Sequence, residues 1–510
     1  MVDWQHGYVT DMPYTFGFYK ECAPNWMDWV ALLRGSEPPT ATRRVLELGC
    51  GQGFGICVMA AANPDYHFIG VDFNPEHIAH ARSLVRRTQL KNVEFHEGDF
   101  LELAKGDLPW PECDYVIAHG ILSWVHFDVR KAIFQITDKC LSPGGLAYFS
   151  YNTLPGWLPT HPVQHIMRQF ADRTGVNALS FESAINALGK IKEVNGAVFP
   201  ALPALNNRLE QLQNHPKDQA NYMYHEYFNG SWSLFYSTQV ADEAAVGKLR
   251  YLASATIPDN FENILSEQMR SVLDSAPDQA MRELFKDMLI NQSFRRDIFV
   301  RGVAPVWAGE QLSLFSKRKV MLLQKPELIS MKFKTSFGEV GGNEEVYQPL
   351  LAELKAGPIT IAELNQKLPQ LNVTNLLKAV SLLAHTGAVG FCVDDANNEP
   401  AQRFNRIVAE SVSKGAPYRY LALPGIGSGI ALDDLQWIAL NLCYEGTTSL
   451  GELARGVETR LKALNKTLIK NGNPIPLDQG DEFINEIMVR LDPFVNGLLP
   501  LLQRMGGVPS

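Results

Sequence analysis

Glycines alternate along Glu47-Leu48-Gly49-Cys50-Gly51-Gln52-Gly53-Phe54-Gly55, between the apolar run Arg44-Val45-Leu46 and the helix-like Ile56-Cys57-Val58-Met59-Ala60-Ala61. A glycine-rich turn between strand and helix lets the polar end of a ligand approach backbone N–H groups with no Cβ in the way. The next apolar run, His67-Phe68-Ile69-Gly70-Val71, ends in Asp72, 23 residues beyond Gly49. That separation suits a carboxylate accepting hydrogen bonds from ribose hydroxyls. A third run, Asn92-Val93-Glu94-Phe95-His96, reaches Gly98-Asp99-Phe100, an acid and an aromatic for a base. The fourth ends at Ala118-His119-Gly120. There a neutral imidazole would accept a proton from an amine or hydroxyl. The loop lacks the G-x-G-x-x-G spacing of dinucleotide folds, so a different nucleoside-containing ligand is expected.

These residues need a scaffold that brings strand ends to one edge. Segments 44–48, 68–72, 93–96, 114–118 and 146–150 read as strands, and Glu76–Arg87 and Asp128–Lys139 as intervening helices. Such alternation predicts an α/β fold with a parallel, doubly wound sheet. Two later apolar segments, Arg296–Gly302 and Lys319–Leu323, are expected to complete seven strands as its antiparallel end. The domain plan is then a catalytic domain over 1–155 and 286–335, with a helical insertion over 156–285. Two winged-helix-like modules follow, at 336–400 and 401–510. The middle module's third helix, Asn372–Thr386, carries Lys378 as its cation and is surrounded by Glu344, Glu345, Glu353, Glu363, Asp394 and Asp395. A phosphate-facing helix lacking Arg and Lys has lost its main source of affinity.

The bulk properties agree. The chain has 510 residues, 46% hydrophobic, enough for several cores and roughly three domains. Its net charge of −9 supplies no footprint for nucleic acid, and none is expected as a partner. Cysteines 22, 50, 57, 113, 140, 392 and 443 form no C-x-x-C and read as reduced thiols in a cytoplasmic protein. Met1–His6 has neither a basic nor an apolar signal region, and no apolar run nears the ~20 residues that span a bilayer. His225-Glu226-Tyr227-Phe228-Asn229 begins like a zinc motif but ends in Asn, and no metal is expected.

Taken in order, E-x-G-x-G-x-G, then Asp72, then Gly98-Asp99-Phe100 resemble the class I S-adenosylmethionine-dependent methyltransferases. More specific phrases are His119-Gly120 to Trp124-Val125, Leu141-Ser142-Pro143-Gly144-Gly145 and Ser150-Tyr151-Asn152-Thr153-Leu154-Pro155-Gly156-Trp157. With Tyr222 to Phe228, Trp232, and Phe294-Arg295-Arg296-Asp297-Ile298-Phe299-Val300-Arg301-Gly302, they are similar to bacterial methyltransferases carrying a central methyltransferase regulatory domain. Members of that family resemble rickettsial protein-lysine methyltransferases.

The resemblance implies S-adenosylmethionine as cofactor, a protein substrate, and an insertion that can support a homodimer. It places Gly49, Cys50, Gly51 and Gly53 at the methionyl end, Glu47 on the amino side, and Asp72 on the ribose. Phe73 and Asn74 would flank the adenine, Asp99 would accept from its amino group, and Phe100 would stack on it. Tyr14 and His119 would contact the donor. Catalytic roles are expected for His119, Tyr151 and Tyr227. Tyr151, Trp157, Tyr227 and Trp232, with Tyr14 and Tyr19, would line an acceptor channel; otherwise these aromatics form the core joining insertion to sheet. A small molecule or glycan is the alternative acceptor, and a vestigial donor site in an interaction protein is a third reading.

Overall fold

A computed structural model describes residues 14–214, 220–394, 396–470, 473–476 and 480–509. The leader reading of Met1–His6 and Asp395 of the acidic set lie outside them. Seven strands form one sheet: β1 (Arg44–Leu48), β2 (His67–Asp72), β3 (Val93–Glu97), β4 (Cys113–Ala118), β5 (Leu141–Asn152), β6 (Arg250–Ser254) and β7 (Phe294–Val300). Their order is β3-β2-β1-β4-β5-β7-β6. The first five run parallel; β7 is antiparallel to both β5 and β6. Val45, Leu46, Leu48, Val116 and Ile117 are all fully buried, as expected of parallel strands covered on both faces.

The expected end of the sheet needs a correction. Arg296–Gly302 does fall on β7, which starts two residues earlier. The remaining strand is β6, inside the stretch read as helical insertion, while β8 (Lys319–Leu322) belongs elsewhere. Arg250-Tyr251-Leu252-Ala253-Ser254 is short and carries a register shift opposite β7, so its alternation is too brief to stand out among helices. The helices His161–Thr174, Ala178–Glu193, Ala204–Gln213 and Ala220–Phe228 do form a unit with its own core, including Phe181, Leu188, Tyr227 and Phe228.

After a hairpin of β9 (Lys332–Thr335) and β10 (Gly338–Gly341), helices Glu344–Leu354, Ile361–Lys367 and Val373–His385 alternate with β11 (Ile359–Thr360) and β12 (Val389–Phe391). β8 is the centre of their small sheet, in the order β11-β8-β12. Its partners lie wholly in this module, which is why an apolar run after β7 misleads. Lys378 donates to Asn263 Oδ1 at 2.9 Å, beyond β6. The last module carries the hairpin β13 (Tyr420–Leu423) and β14 (Ser428–Ala431) among the helices Glu399–Ser413, Asp434–Tyr444 and Leu450–Ala463.

The middle module packs onto the sheet domain through the N-terminal helix Pro24–Leu33. Trp29 stacks on Phe391 at 4.2 Å between centroids and donates its indole N–H to Ser381. Trp26 donates to the Ala255 carbonyl at 2.9 Å. The last module reaches the Phe54–Ala62 helix directly: Tyr418 stacks on Phe54 at 4.5 Å, and Asn63 donates to the Gly427 carbonyl at 2.9 Å. That helix begins at the glycine loop, so the C-terminal modules brace the edge that carries the strand-end residues. Among the described residues no helix is long and apolar enough to cross a membrane.

Candidate active site

The chain turns sharply out of β1. Gly49 and Cys50 donate N–H bonds to the Val71 carbonyl, at 2.8 and 3.1 Å, and Gly51 N–H donates to Asp72 Oδ2 at 2.9 Å. A Cβ at Gly49 would collide with the Ile121 side chain. Gly53 has φ +71° and caps the Phe54–Ala62 helix; a Cβ there would meet Ala81 and the Phe95 ring. Gly53 is therefore needed for helix–strand packing and Gly49 for the close approach of Ile121, and Gly49 and Gly51 both line a cavity.

Two adjoining cavities, of about 50 and 80 Å³, meet along Tyr14, Gly49 and His119. The first lies between the glycine loop, Glu47 and the segment Tyr14–Tyr19. The second runs past Gly51, Asp72, Phe73, Asp99 and Phe100 to Ile121 and Trp124. The strand-end residues expected from the sequence thus converge.

Glu47 is the electrostatic anomaly. Its Oε2 atom is out of reach of solvent and has no hydrogen-bond partner among the described residues. Burial, and then the neighbouring Asp72 charge, push its carboxyl up to about 8. An unpartnered buried carboxylate oxygen costs about 1–3 kcal/mol, and a cationic ligand group would relieve it. Asp72 is 5% exposed and held from both sides, with Oδ2 accepting from Gly51 and Oδ1 from the Asn74 N–H at 2.9 Å. His77 Nδ1 lies 3.2 Å from the same Oδ1. Asp72 therefore ties the loop to β2 as well as facing the cavity. A carboxylate has about four acceptor positions, so with three taken one remains for a ribose hydroxyl.

Asp99 caps the Phe100–Lys105 helix through Leu101 N–H at 2.7 Å and also lines the second cavity. Asn74 does not. Its Oδ1 accepts from Glu76 N–H at 2.9 Å as cap of the Pro75–Thr88 helix, and it is buried away from both cavities. Asn74 serves as the cap of that helix. Cys50 lines the first cavity, its thiol pushed up by burial.

His119 stands where the cavities meet. Tyr19 stacks on it at 3.5 Å between centroids, Tyr148 lies parallel at 5.8 Å and Phe294 edge-on at 6.2 Å. The hydroxyls of Tyr148 and Ser150 lie 2.9 and 3.2 Å from Nδ1. Burial, then the Arg296 guanidinium, lower the imidazole to about 3. It is neutral across the working range, but too weak a base to take a proton from an ammonium whose reference value is ~10.4. His119 thus lines both cavities, and its burial weighs against a role as general base.

The other two candidate catalytic side chains lie elsewhere. Tyr151 is fully buried on the opposite side of β5, donating to Asp297 Oδ2 at 2.6 Å. Strand alternation explains this: Tyr148 and Ser150 point to the site and Tyr151 away from it. Tyr227 is buried in the insertion core with Arg208 against its ring. Trp157 and Trp232 pack on each other at 5.6 Å between centroids. Of the proposed channel aromatics, only Tyr14 and Tyr19 line the cavities; the other four join insertion to sheet.

Sequence reasoning missed Glu226. This carboxylate, 1% exposed, receives Trp232 Nε1–H at 2.6 Å and Asn152 Nδ2–H at 2.7 Å on Oε1, and Trp124 Nε1–H and the Tyr222 hydroxyl, each at 3.2 Å, on Oε2. It fastens the Ala220–Phe228 helix to β5 and to Trp124, a wall of the second cavity. An acid among three tyrosines in Tyr222–Tyr227 was the available signal, hidden by its likeness to a failed zinc motif.

Known proteins place this geometry. Residues 39–220 match the family described as "Methyltransferase domain" and 219–301 the one described as "Predicted methyltransferase regulatory domain". The uncharacterized protein sll1526 of Synechocystis is 31% identical over 99% of both chains. The uncharacterized protein RP789 of Rickettsia prowazekii is 29% identical over 57% of this chain and 52% of its own length. PKMT2 from Rickettsia typhi, solved in complex with AdoHcy, shares the fold with a TM-score of 0.70 at 20% identity, over 95% of this chain and 99% of that one. The chain belongs to the class I S-adenosylmethionine-dependent methyltransferases that carry a central methyltransferase regulatory domain.

Proposed function

We propose that this methyltransferase modifies lysine side chains of a protein acceptor. The observation that carries this reading is the set of aromatic rings, Tyr19, Tyr148 and Phe294, packed around His119 where the two cavities meet. S-adenosylmethionine, when bound, supplies a methyl group already activated on a sulfonium, so the protein's task is to align, to exclude water and to accept an unprotonated nucleophile. Desolvation by these rings, with the Arg296 charge nearby, disfavours an ammonium. The acceptor amine would lose its proton to solvent on the way in, with no side-chain base. Glu47 would hold the donor's ammonium, the Gly49–Gly51 turn its carboxylate end, Asp72 its ribose, and Phe73, Asp99 and Phe100 its adenine. Support for a protein acceptor comes from the resemblance to rickettsial protein-lysine methyltransferases.

A small acceptor is favoured by one feature, the segment Tyr14–Tyr19 lying across the glycine loop. The two readings separate on incubation with methyl-labelled donor and a bacterial lysate, followed by hydrolysis of the protein fraction. Label in N-methylated lysine supports the proposal; label confined to the small-molecule fraction overturns it. Leu179, Ile191 and Val194, exposed and apolar on or beside the Ala178–Glu193 helix, support a homodimer through the insertion.

A further inference from the structure

A third cavity, of about 330 Å³, opens on the far side of Tyr19 from the glycine loop. Its walls come from three distant parts of the chain: the N-terminal segment, the end of the Val373–His385 helix with β12, and the β13–β14 hairpin. It meets the first donor cavity along Phe18 and Tyr19, both of which line the two spaces. Tyr19 is therefore a partition, with one face stacked on His119 and 38% of its surface open.

The lining is chemically specific. Trp26, Val389, Phe391 and Ile430 give apolar walls, and Glu21 is the carboxylate among them. One alkylammonium is already accommodated there: Lys20 donates to the carbonyls of Ala384 and His385, at 2.9 and 2.7 Å, with Nζ 4.8 Å from the Trp26 ring centroid. Burial lowers the Lys20 amine below its ordinary value. A space that stows a lysine chain along apolar walls, carries a carboxylate, and ends at the ring stacked on His119 has the properties an incoming lysine needs.

We propose that this cavity is the acceptor channel, taking the butyl chain and amine of a lysine side chain up to Tyr19, with both C-terminal modules forming its outer wall. This rests on the protein-lysine reading above. In the transfer, the amine lone pair forms a bond to the methyl carbon as the carbon–sulfur bond breaks. The electron pair stays on sulfur as a neutral thioether, and the methylated ammonium releases its proton to solvent. The modules thereby contribute to substrate binding, and residues from both ends of the chain meet at one site.

The test uses the full-length protein, S-adenosylhomocysteine, and an analogue of it with nitrogen in place of sulfur carrying a butyl-terminated tail. Ala431, exposed at the rim of the cavity, is replaced by tryptophan (Ala431→Trp) to fill it without disturbing a core. Wild type should bind the tailed analogue at least about tenfold more tightly than S-adenosylhomocysteine, from burial of the chain. Ala431→Trp should lose that gain while keeping its melting temperature and its affinity for S-adenosylhomocysteine. A tail that gains nothing, or a gain that survives in Ala431→Trp, overturns the channel. The lysate assay separates the two readings. Lysine labelled equally by wild type and Ala431→Trp would leave the lysine reading standing and remove the channel. A tail gain lost in Ala431→Trp, with no lysine labelled by wild type, would leave the channel and remove its lysine.

Discussion

Replacing Glu47 with glutamine should abolish the pH dependence of donor binding. The free protein holds this carboxyl protonated up to about 8, because Oε2 is buried without a partner and Asp72 lies nearby. A donor ammonium binds the ionised form, so between pH 6 and 8 each pH unit should raise wild-type affinity for S-adenosylhomocysteine by close to tenfold. The slope should flatten as pH passes 8. Glu47→Gln removes the titration and the charge-assisted hydrogen bond, worth about 1.5–3 kcal/mol, or roughly 10- to 150-fold at pH 8. The sign for the free protein is opposite. An acid whose folded value is raised destabilises the fold as pH climbs from its unfolded value toward 8. Glu47→Gln should therefore melt above wild type at pH 8 and with it at pH 4.5. Calorimetric titration across pH 6–8, with melts of the ligand-free proteins, measures both. A wild-type affinity flat over that range, or equal affinities for the two proteins at pH 8, would refute the assignment of Glu47 to the ammonium.

Other perturbations follow from the same geometry. Asp72→Ala should weaken S-adenosylhomocysteine binding by about 2–3 kcal/mol, since the ribose contact and the Gly51 tether are both lost; titration calorimetry reads this. Glu226→Gln places an amide against two of four buried donors and should cost about 2–6 kcal/mol of stability, read by urea denaturation, with turnover falling as Trp124 loosens. Trp29→Ala should cost about 3–5 kcal/mol from the lost core volume, and protease sensitivity should rise where the middle module meets the N-terminal helix. Sedimentation of Leu179→Glu should show a lighter species than wild type; equal masses would remove the insertion as a dimer surface.

The donor half of the site is legible in the sequence because its residues are local. Gly49, Gly51, Asp72 and Asp99 each sit where a strand ends, and strand ends follow from alternation and turn chemistry. Short elements and shared faces are less visible. β6 spans five residues at an edge and vanishes among helices, while β8 has the apolar look of a sheet strand but pairs inside a module. Tyr151 falls one residue out of phase with Ser150, and a single position decides which face of β5 a side chain serves. Asn74 is drawn to capping by the proline after it, which starts the helix. Glu226 gathers donors from positions 124, 152, 222 and 232, and no local pattern brings those together.

The central claim is lysine methylation of protein, and heavy-methyl methionine labelling of cells tests it most directly. Proteomes of cells with the protein, without it, and with Glu47→Gln in its place would be compared for heavy N-methyl-lysine by mass spectrometry. A set of lysine sites labelled with wild type, lost in its absence and not restored by Glu47→Gln is the predicted result. Identical heavy-lysine inventories in cells with and without the protein would contradict it.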